Sequence, residues 1–339
     1  MKKFYAVIGN PPYQEEVKGN QRKNPIYNHF FDESFRVSEK TELITPARFL
    51  FNAGQTPKEW NRKMLADPHL KVSYFAPDAE TVFPGIEIKG GVAVTYRDET
   101  KDFGPIETFI PFDPLKTILA KTSVTGSKSL AEVFVGAVPY RFTEALRVEK
   151  SELVDEVGSS FDLRTNTLDK LNGKLFSRDP ATENSVAIFG LVNKKRGCLW
   201  IERKYIEVPD NFASYKVFLP KASGSGAYGE KLAELAVAAK DVGHTQSFVS
   251  IGGFETEAEA DALCKYLKSK FARALLGVLK VTQDITARVW EFVPLQNFSD
   301  TSDIDWNKSI PEIDQQLYAK YGLSEEEIEF IETHVKEMS

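Results

Sequence analysis

The stretch FYAVIGNPPYQ, residues 4–14, sets the reading of the chain. A short β-rich apolar run ends at Gly9 and meets two prolines. Residues 4–9 therefore read as a buried strand, stopped by residues that cannot continue it. Asn10 offers an amide oxygen as an acceptor. Pro11 and Pro12 lack N–H donors, keep their carbonyls and have a fixed φ. Tyr13 adds a flat ring. A rigid cluster of acceptors beside a stacking face, at the carboxyl end of a strand, suits a planar group with an exocyclic amine; adenine is the obvious candidate.

The strand opens an alternating pattern. Residues 14–24 read as a polar mobile loop. Residues 25–39 read as a helix begun by Pro25, with Ile26, Phe30, Phe31 and Phe35 at helical spacing. Residues 41–51 (TELITPARFLF) read as a strand into a turn. Residues 56–67 read as a helix with Thr56 as N-cap and Pro57 in its first position. LKVSYFA and KGGVAVTYRD read as strands flanking a loop at 77–89. Strands alternating with helices predict a parallel, doubly wound α/β sheet over residues 1–115.

Past residue 115 the texture changes to short β-rich runs with more Ser, Thr and Gly. SVAIFGLV, CLWIERKYIEV, YKVFLP and SFVSIGGF read as strands, 256–280 as one helix capped by Thr256, and VWEFVPLQNF as a closing strand. A second, mixed α+β domain is expected over 116–300. A helical tail follows at 301–339, with Ser324 and Glu327 in capping-box register.

Bulk properties narrow the classes. The 339 residues favour two domains. Two cysteines, Cys198 and Cys264, make neither a disulfide framework nor a zinc cluster, and a reducing cytoplasm fits best. No apolar stretch spans a membrane. A net charge of −6 excludes a generic nucleic-acid coater, so DNA contact would need basic residues gathered on one face.

VIGNPPYQ resembles the catalytic motif of the N6-adenine DNA methyltransferases. LITPARFLF and VFPGIEIKGGVAVTYRD look like later catalytic motifs of type II (type IIG-like) restriction–modification methylases. KVFLPKASGSG, KSKFARALLGVLKVTQD, VWEFVPLQNF and IDQQLYAKYGLSEEEIEFIE look like their target-recognition region. The resemblance implies a partial Rossmann-like methyltransferase catalytic half followed by a DNA target-recognition domain. It also implies a flipped adenine held by Asn10, Pro11, Pro12 and Tyr13. Asn10 and the Pro11 carbonyl would accept from its amine, Tyr13 would stack on it and Phe83 would complete the sandwich. The methyl group would come from S-adenosylmethionine.

In the family's usual order the cofactor motif precedes this strand, so that half is expected to be missing or supplied by another polypeptide. A permuted order is the alternative: Gly224-Ser225-Gly226-Ala227-Tyr228-Gly229 is a literal G-x-G-x-x-G, with Glu255 as the candidate acid of a second strand. The same loop also reads as a flexible DNA-contacting segment. Candidate DNA contacts are Lys194, Lys195, Arg196, Lys221, Ser223, Lys265, Lys268 and Arg273, with Lys270 on the same helix. Pro77-Asp78 with Glu87-Ile88-Lys89 spells a loose metal-nuclease pattern. The expected partners are double-stranded DNA and a second polypeptide carrying the cofactor motif, a nuclease or a helicase. Two alternatives stay open: a non-catalytic DNA-recognition subunit and a restriction endonuclease.

Overall fold

The computed structural model describes residues 2–15, 24–123 and 128–338. The chain divides into two compact units, Met1–Lys116 with Ser225–Tyr228, and Thr117–Gly224 with Gly229–Ser339. The fold is mixed α/β, with several small sheets.

The first unit contains β1 (Phe4–Gly9), β2 (Gln14–Glu15), β3 (Asn24–Pro25), α1 (Tyr27–Val37), β4 (Ser38–Pro46), α2 (Lys58–Ala66), β5 (Leu70–Ala76) and β6 (Val92–Asp98). Four of the strands form one sheet in the order β1-β4-β6-β5. β1 and β4 are parallel, with Val7 opposite Thr41 and Gly9 opposite Leu43. β6 is antiparallel to both of its neighbours, with Ile44 and Tyr74 each opposite Val94. The sheet is therefore mixed, not wholly parallel as the sequence suggested. The connections explain this. α1 crosses between β1 and β4, whereas β5 returns to β6 through a loop with no crossover helix, and such a return runs antiparallel.

One aromatic cluster covers a face of this sheet. Phe31 of α1, Trp60 of α2 and Phe49 between them lie 5.3–5.7 Å apart by ring centroid. Tyr27 lies 6.3 Å from both Phe49 and Trp60. Thr56 does not cap α2; its hydroxyl donates to the Asn61 side-chain oxygen at 2.7 Å, and Pro57 occupies the N-cap.

β1 departs from the buried strand expected. It ends the sheet order, and Phe4, Tyr5 and Ile8 are 57, 68 and 77% exposed. An edge strand lacks a neighbouring strand on one side, and among the described residues no layer covers these three side chains.

In the second unit, Ser185–Val192 and Lys195–Glu202 form a hairpin. Its two-residue turn places Asn193 and Lys194 at φ 51 and 63°, the mirror-image turn that matches strand twist. Val242–His244 adds to it in parallel. A second sheet orders Ala236–Ala238, Tyr215–Pro220, Phe248–Phe254 and Phe134–Val135. The long helix expected at 256–280 is two helices, Glu257–Lys268 and Lys270–Leu276. Thr256 caps the first as foreseen. Ser269 breaks the run by capping the second, accepting the Ala272 amide at 3.1 Å. VWEFVPLQNF is not the strand expected: it begins within the 3₁₀ turn Ala287–Trp290 and pairs through an isolated bridge of Pro294 with Ser129, with Trp290 and Val293 buried. Ile310–Lys320 and Glu325–His334 form the helices of residues 301–339, with the Ser324–Glu327 box in place.

A buried lysine and a buried neutral histidine sit together in this unit. The Lys216 ammonium donates to the Phe212 and Ser214 carbonyls at 2.9 and 2.8 Å, and burial lowers its pKa to about 8. His244 packs edge-on to Tyr140 and Phe218. Burial, opposed by the Thr245 carbonyl and reinforced by the Lys216 charge, holds its pKa down to about 4.

Two outcomes are expected from this packing. Phe49→Ala removes the ring in contact with all three of its neighbours and should cost about 3–5 kcal/mol of first-unit stability in chemical denaturation. His244 is neutral when folded but binds a proton when unfolded between its ordinary value near 6.5 and about 4. Stability of the second unit should therefore fall as pH drops through that window, by on the order of 3 kcal/mol. His244→Phe should flatten that part of the pH–stability curve.

Candidate active site

The site grows from the carboxyl end of β1. Asn10 and Pro12 are exposed, and Pro11 and Tyr13 are half-buried. The Tyr13 carbonyl accepts the Ile26 amide at 3.1 Å, and the β2–β3 ladder pairs Gln14 with Pro25 beside it. This short ladder occupies both ends of the segment expected to be a mobile loop, whose residues 16–23 lie outside the described ones. Burial pushes the Tyr13 phenol up, while the Asn10 side chain pulls the other way. No hydrogen bond of ordinary geometry closes on the Tyr13 hydroxyl among the described residues.

Tyr13 faces a cleft of about 520 Å³, whose lining includes Tyr27, Pro46, Arg48, Ile86 and Lys89. Ligand clefts commonly measure a few hundred Å³. Pro46 ends β4, so the cleft stands at the carboxyl ends of the parallel pair, where open α/β sheets bind ligands. Burial pushes Tyr27 up to about 12, which keeps it a neutral phenol. The sequence had singled out neither Tyr27 nor Arg48. The available signal was a single cation inside the apolar turn ARFLF.

Phe83 is not brought to this cleft. It packs with the buried Ala76, Ala79 and Val92 in a small core under its own loop. It is therefore spent on folding the loop, and Ile86 and Ile88 are the apolar loop residues that reach the lining.

The nuclease pattern separates into unrelated roles. The Asp78 carboxylate accepts the Glu80 amide at 3.0 Å and caps a short turn, while Glu87 and Lys89 line the cleft. Among the described residues no group of three or more His, Cys, Asp or Glu could hold a metal.

The glycine motif does not fit S-adenosylmethionine. A strand precedes it, but no helix follows Gly224-x-Gly226-x-x-Gly229, so there is no helix N-terminus to aim at a ligand. Gly229 has φ +69°, and a side chain there would meet the His334 carbonyl at 2.1 Å. That glycine admits the chain's own last helix, not a cofactor. Glu255 pairs with Lys240 at 3.1 Å.

Several expected DNA contacts are committed inside the second unit. Arg273 is 2% exposed and donates to the Lys268, Glu230 and Lys336 carbonyls. Lys265 donates to the Trp306 and Lys308 carbonyls, and Lys270 pairs with Glu332. Ser223 is buried and accepts the Ala233 amide at 2.7 Å. Arg196 pairs with Glu234 at 3.2 Å. The helical spacing of these cations reflected a face packed on neighbouring carbonyls, not an exposed one. Lys194 and Lys195 at the hairpin tip and Lys221 are exposed, and Lys268 is half-buried. No helix among the described residues is long and apolar enough to cross a membrane.

Residues 1–83 match the family model described as the Eco57I restriction-modification methylase. Among solved structures, the chain is similar to the type IIG restriction endonuclease BpuSI, at 13% identity and a TM-score of 0.35, over 94% of this chain and 48% of that one. It is also similar to the type IIL restriction-modification enzyme MmeI in complex with DNA, at 10% identity and a TM-score of 0.38, over 97% of this chain and 56% of that one. The chain thus spans about half the length of each. No curated protein matches. The segment that carries Asn10–Tyr13 is the part similar in sequence to a restriction–modification methylase domain.

Proposed function

We propose that this chain is the base-binding and DNA-recognising portion of a site-specific DNA adenine-N6 methyltransferase in a restriction–modification system, working in the cytoplasm. One observation carries the reading. Asn10-Pro11-Pro12-Tyr13 stands at the carboxyl end of β1, with Tyr13 on a cleft, inside the segment that matches a methylase family. An adenine extruded from the duplex stacks on Tyr13. Its amine donates to the Asn10 side-chain oxygen and the Pro11 carbonyl. Those acceptors fix the nitrogen and keep its lone pair available, so positioning and electrostatics carry the rate without a strong base.

The reading implies S-adenosylmethionine as methyl donor. The glycine motif at 224–229 does not fit it, which supports the reading that a further segment, on this or a partner chain, holds the cofactor. The position of β1 at one end of the sheet among the described residues, with Phe4, Tyr5 and Ile8 exposed, supports that idea. The second unit is the target-recognition domain, with Lys194, Lys195, Lys221 and Lys268 left to meet phosphates. A non-catalytic DNA-recognition role is the second reading, favoured by the poor fit to the cofactor.

Two experiments decide. In cells expressing the intact restriction–modification locus, Asn10→Ala should lower N6-methyladenine formation by about 100-fold or more, the scale of removing one fixed transition-state hydrogen bond. Unchanged methylation would defeat the assignment of Asn10. In calorimetry, the isolated chain should not take up S-adenosylmethionine. Clear uptake would refute a cofactor site completed from elsewhere.

A further inference from the structure

We infer that Arg48 and Lys89 hold a backbone phosphate of the nucleic acid whose adenine is seated at Tyr13. This rests on the adenine-methylation reading above and adds a ligand class to the same cleft.

Arg48 belongs to the turn Ala47–Phe51, whose other four members are 0–4% exposed. Burying those four leaves Arg48 as the only residue of the turn directed outward. Its Nε donates to the Lys89 carbonyl at 2.5 Å, which anchors the guanidinium and brings the Lys89 residue beside it. The Ala47 amide donates to the Gly91 carbonyl at 3.0 Å and ties the same loop to the same turn. Gly91, at φ +74°, also lets the loop pass close to the end of β5, because a side chain there would meet the Ala76 carbonyl at 2.2 Å.

The position of Lys89 is thus set by two backbone ties. Among the described residues the terminal guanidinium nitrogens of Arg48 and the Lys89 ammonium make no hydrogen bond or ion pair, although both line the cleft that Tyr13 faces. Elsewhere cations on packed elements are spent, as with Arg273, Lys270 and Lys216. A braced guanidinium with two unspent nitrogens is a bidentate donor for a phosphate. Glu87, also in the lining, is the opposing charge, so the three groups sum to one positive charge, matched to a single phosphodiester.

The test measures binding of a short fluorescent oligodeoxyadenylate by anisotropy, against its methylphosphonate analogue with an uncharged backbone. The full chain is compared with Arg48→Gln, Arg48→Lys, Lys89→Gln and Tyr13→Ala, each matched for melting temperature. Wild type should prefer the charged strand about tenfold, the worth of one charge-assisted contact. Arg48→Gln should lose most of that preference and lower the salt slope by about 0.7, the value for one phosphate on a single strand. Lys89→Gln should lose a smaller share, and Arg48→Lys should keep part of it.

If Arg48→Gln and Lys89→Gln keep the preference while Tyr13→Ala weakens both strands, the phosphate contact is overturned and the adenine reading survives. If Tyr13→Ala leaves both strands unaffected, the seat at Tyr13 fails, and with it the adenine reading. If calorimetry shows Arg48→Gln altering only S-adenosylmethionine uptake, the group bound is the cofactor's carboxylate and the inference is overturned.

Discussion

The contact of Phe31, Phe49 and Trp60, with Tyr27 against them, is the constraint on which the first unit depends. Three different stretches each contribute a ring: α1, α2 and the turn after β4. Burying Phe49 draws Ala47, Leu50 and Phe51 inward with it, and the tight turn then leaves Arg48 on the outside. Tyr27 reaches the same cluster from the start of α1 while also lining the cleft. The polar geometry of the site is therefore a by-product of apolar packing. Moving one ring would displace Pro46, Arg48 and Tyr27 together.

Much of this was legible in the sequence. Gly9 and the prolines ended β1 where expected, because glycine and proline act locally. Thr256, Ser324 and Glu327 capped their helices as read, since capping is decided within four residues. Tertiary choices escaped the reading. Nothing local distinguishes the edge position of β1 from a central one, because its residues are β-formers in either place. β6 lies antiparallel because the loop after β5 turns straight back, not because of its own side chains. Ser269 sat inside a continuous helical pattern, and its return to capping turns on a single hydroxyl and an amide three residues on.

The candidate site divided along the same line. Asn10 to Tyr13 stand out in the sequence because their chemistry is compact and contiguous, and Tyr13 does line a cleft. Phe83 could not be read this way, since an aromatic beside a proline in a loop serves a ligand and a small core equally well on paper. The cations of the second unit misled for a related reason. A lysine or arginine at helical spacing looks solvated, yet Arg273 and Lys265 satisfy main-chain carbonyls that irregular segments cannot pair among themselves. Buried backbone acceptors need donors, and a long cationic side chain reaches several at once.

β1 has a consequence for how such a chain must be made. A strand that is free on one side and carries Phe4, Tyr5 and Ile8 in water is a template for further strands of any origin. A segment that pairs with this edge would also be what keeps copies of the chain from adding to one another, since strand addition of that kind has no closed symmetry to stop it. The cover of β1 would then serve solubility as well as the site beside it. Polar substitutions at Phe4, Tyr5 and Ile8 would therefore bear on aggregation as well as on packing.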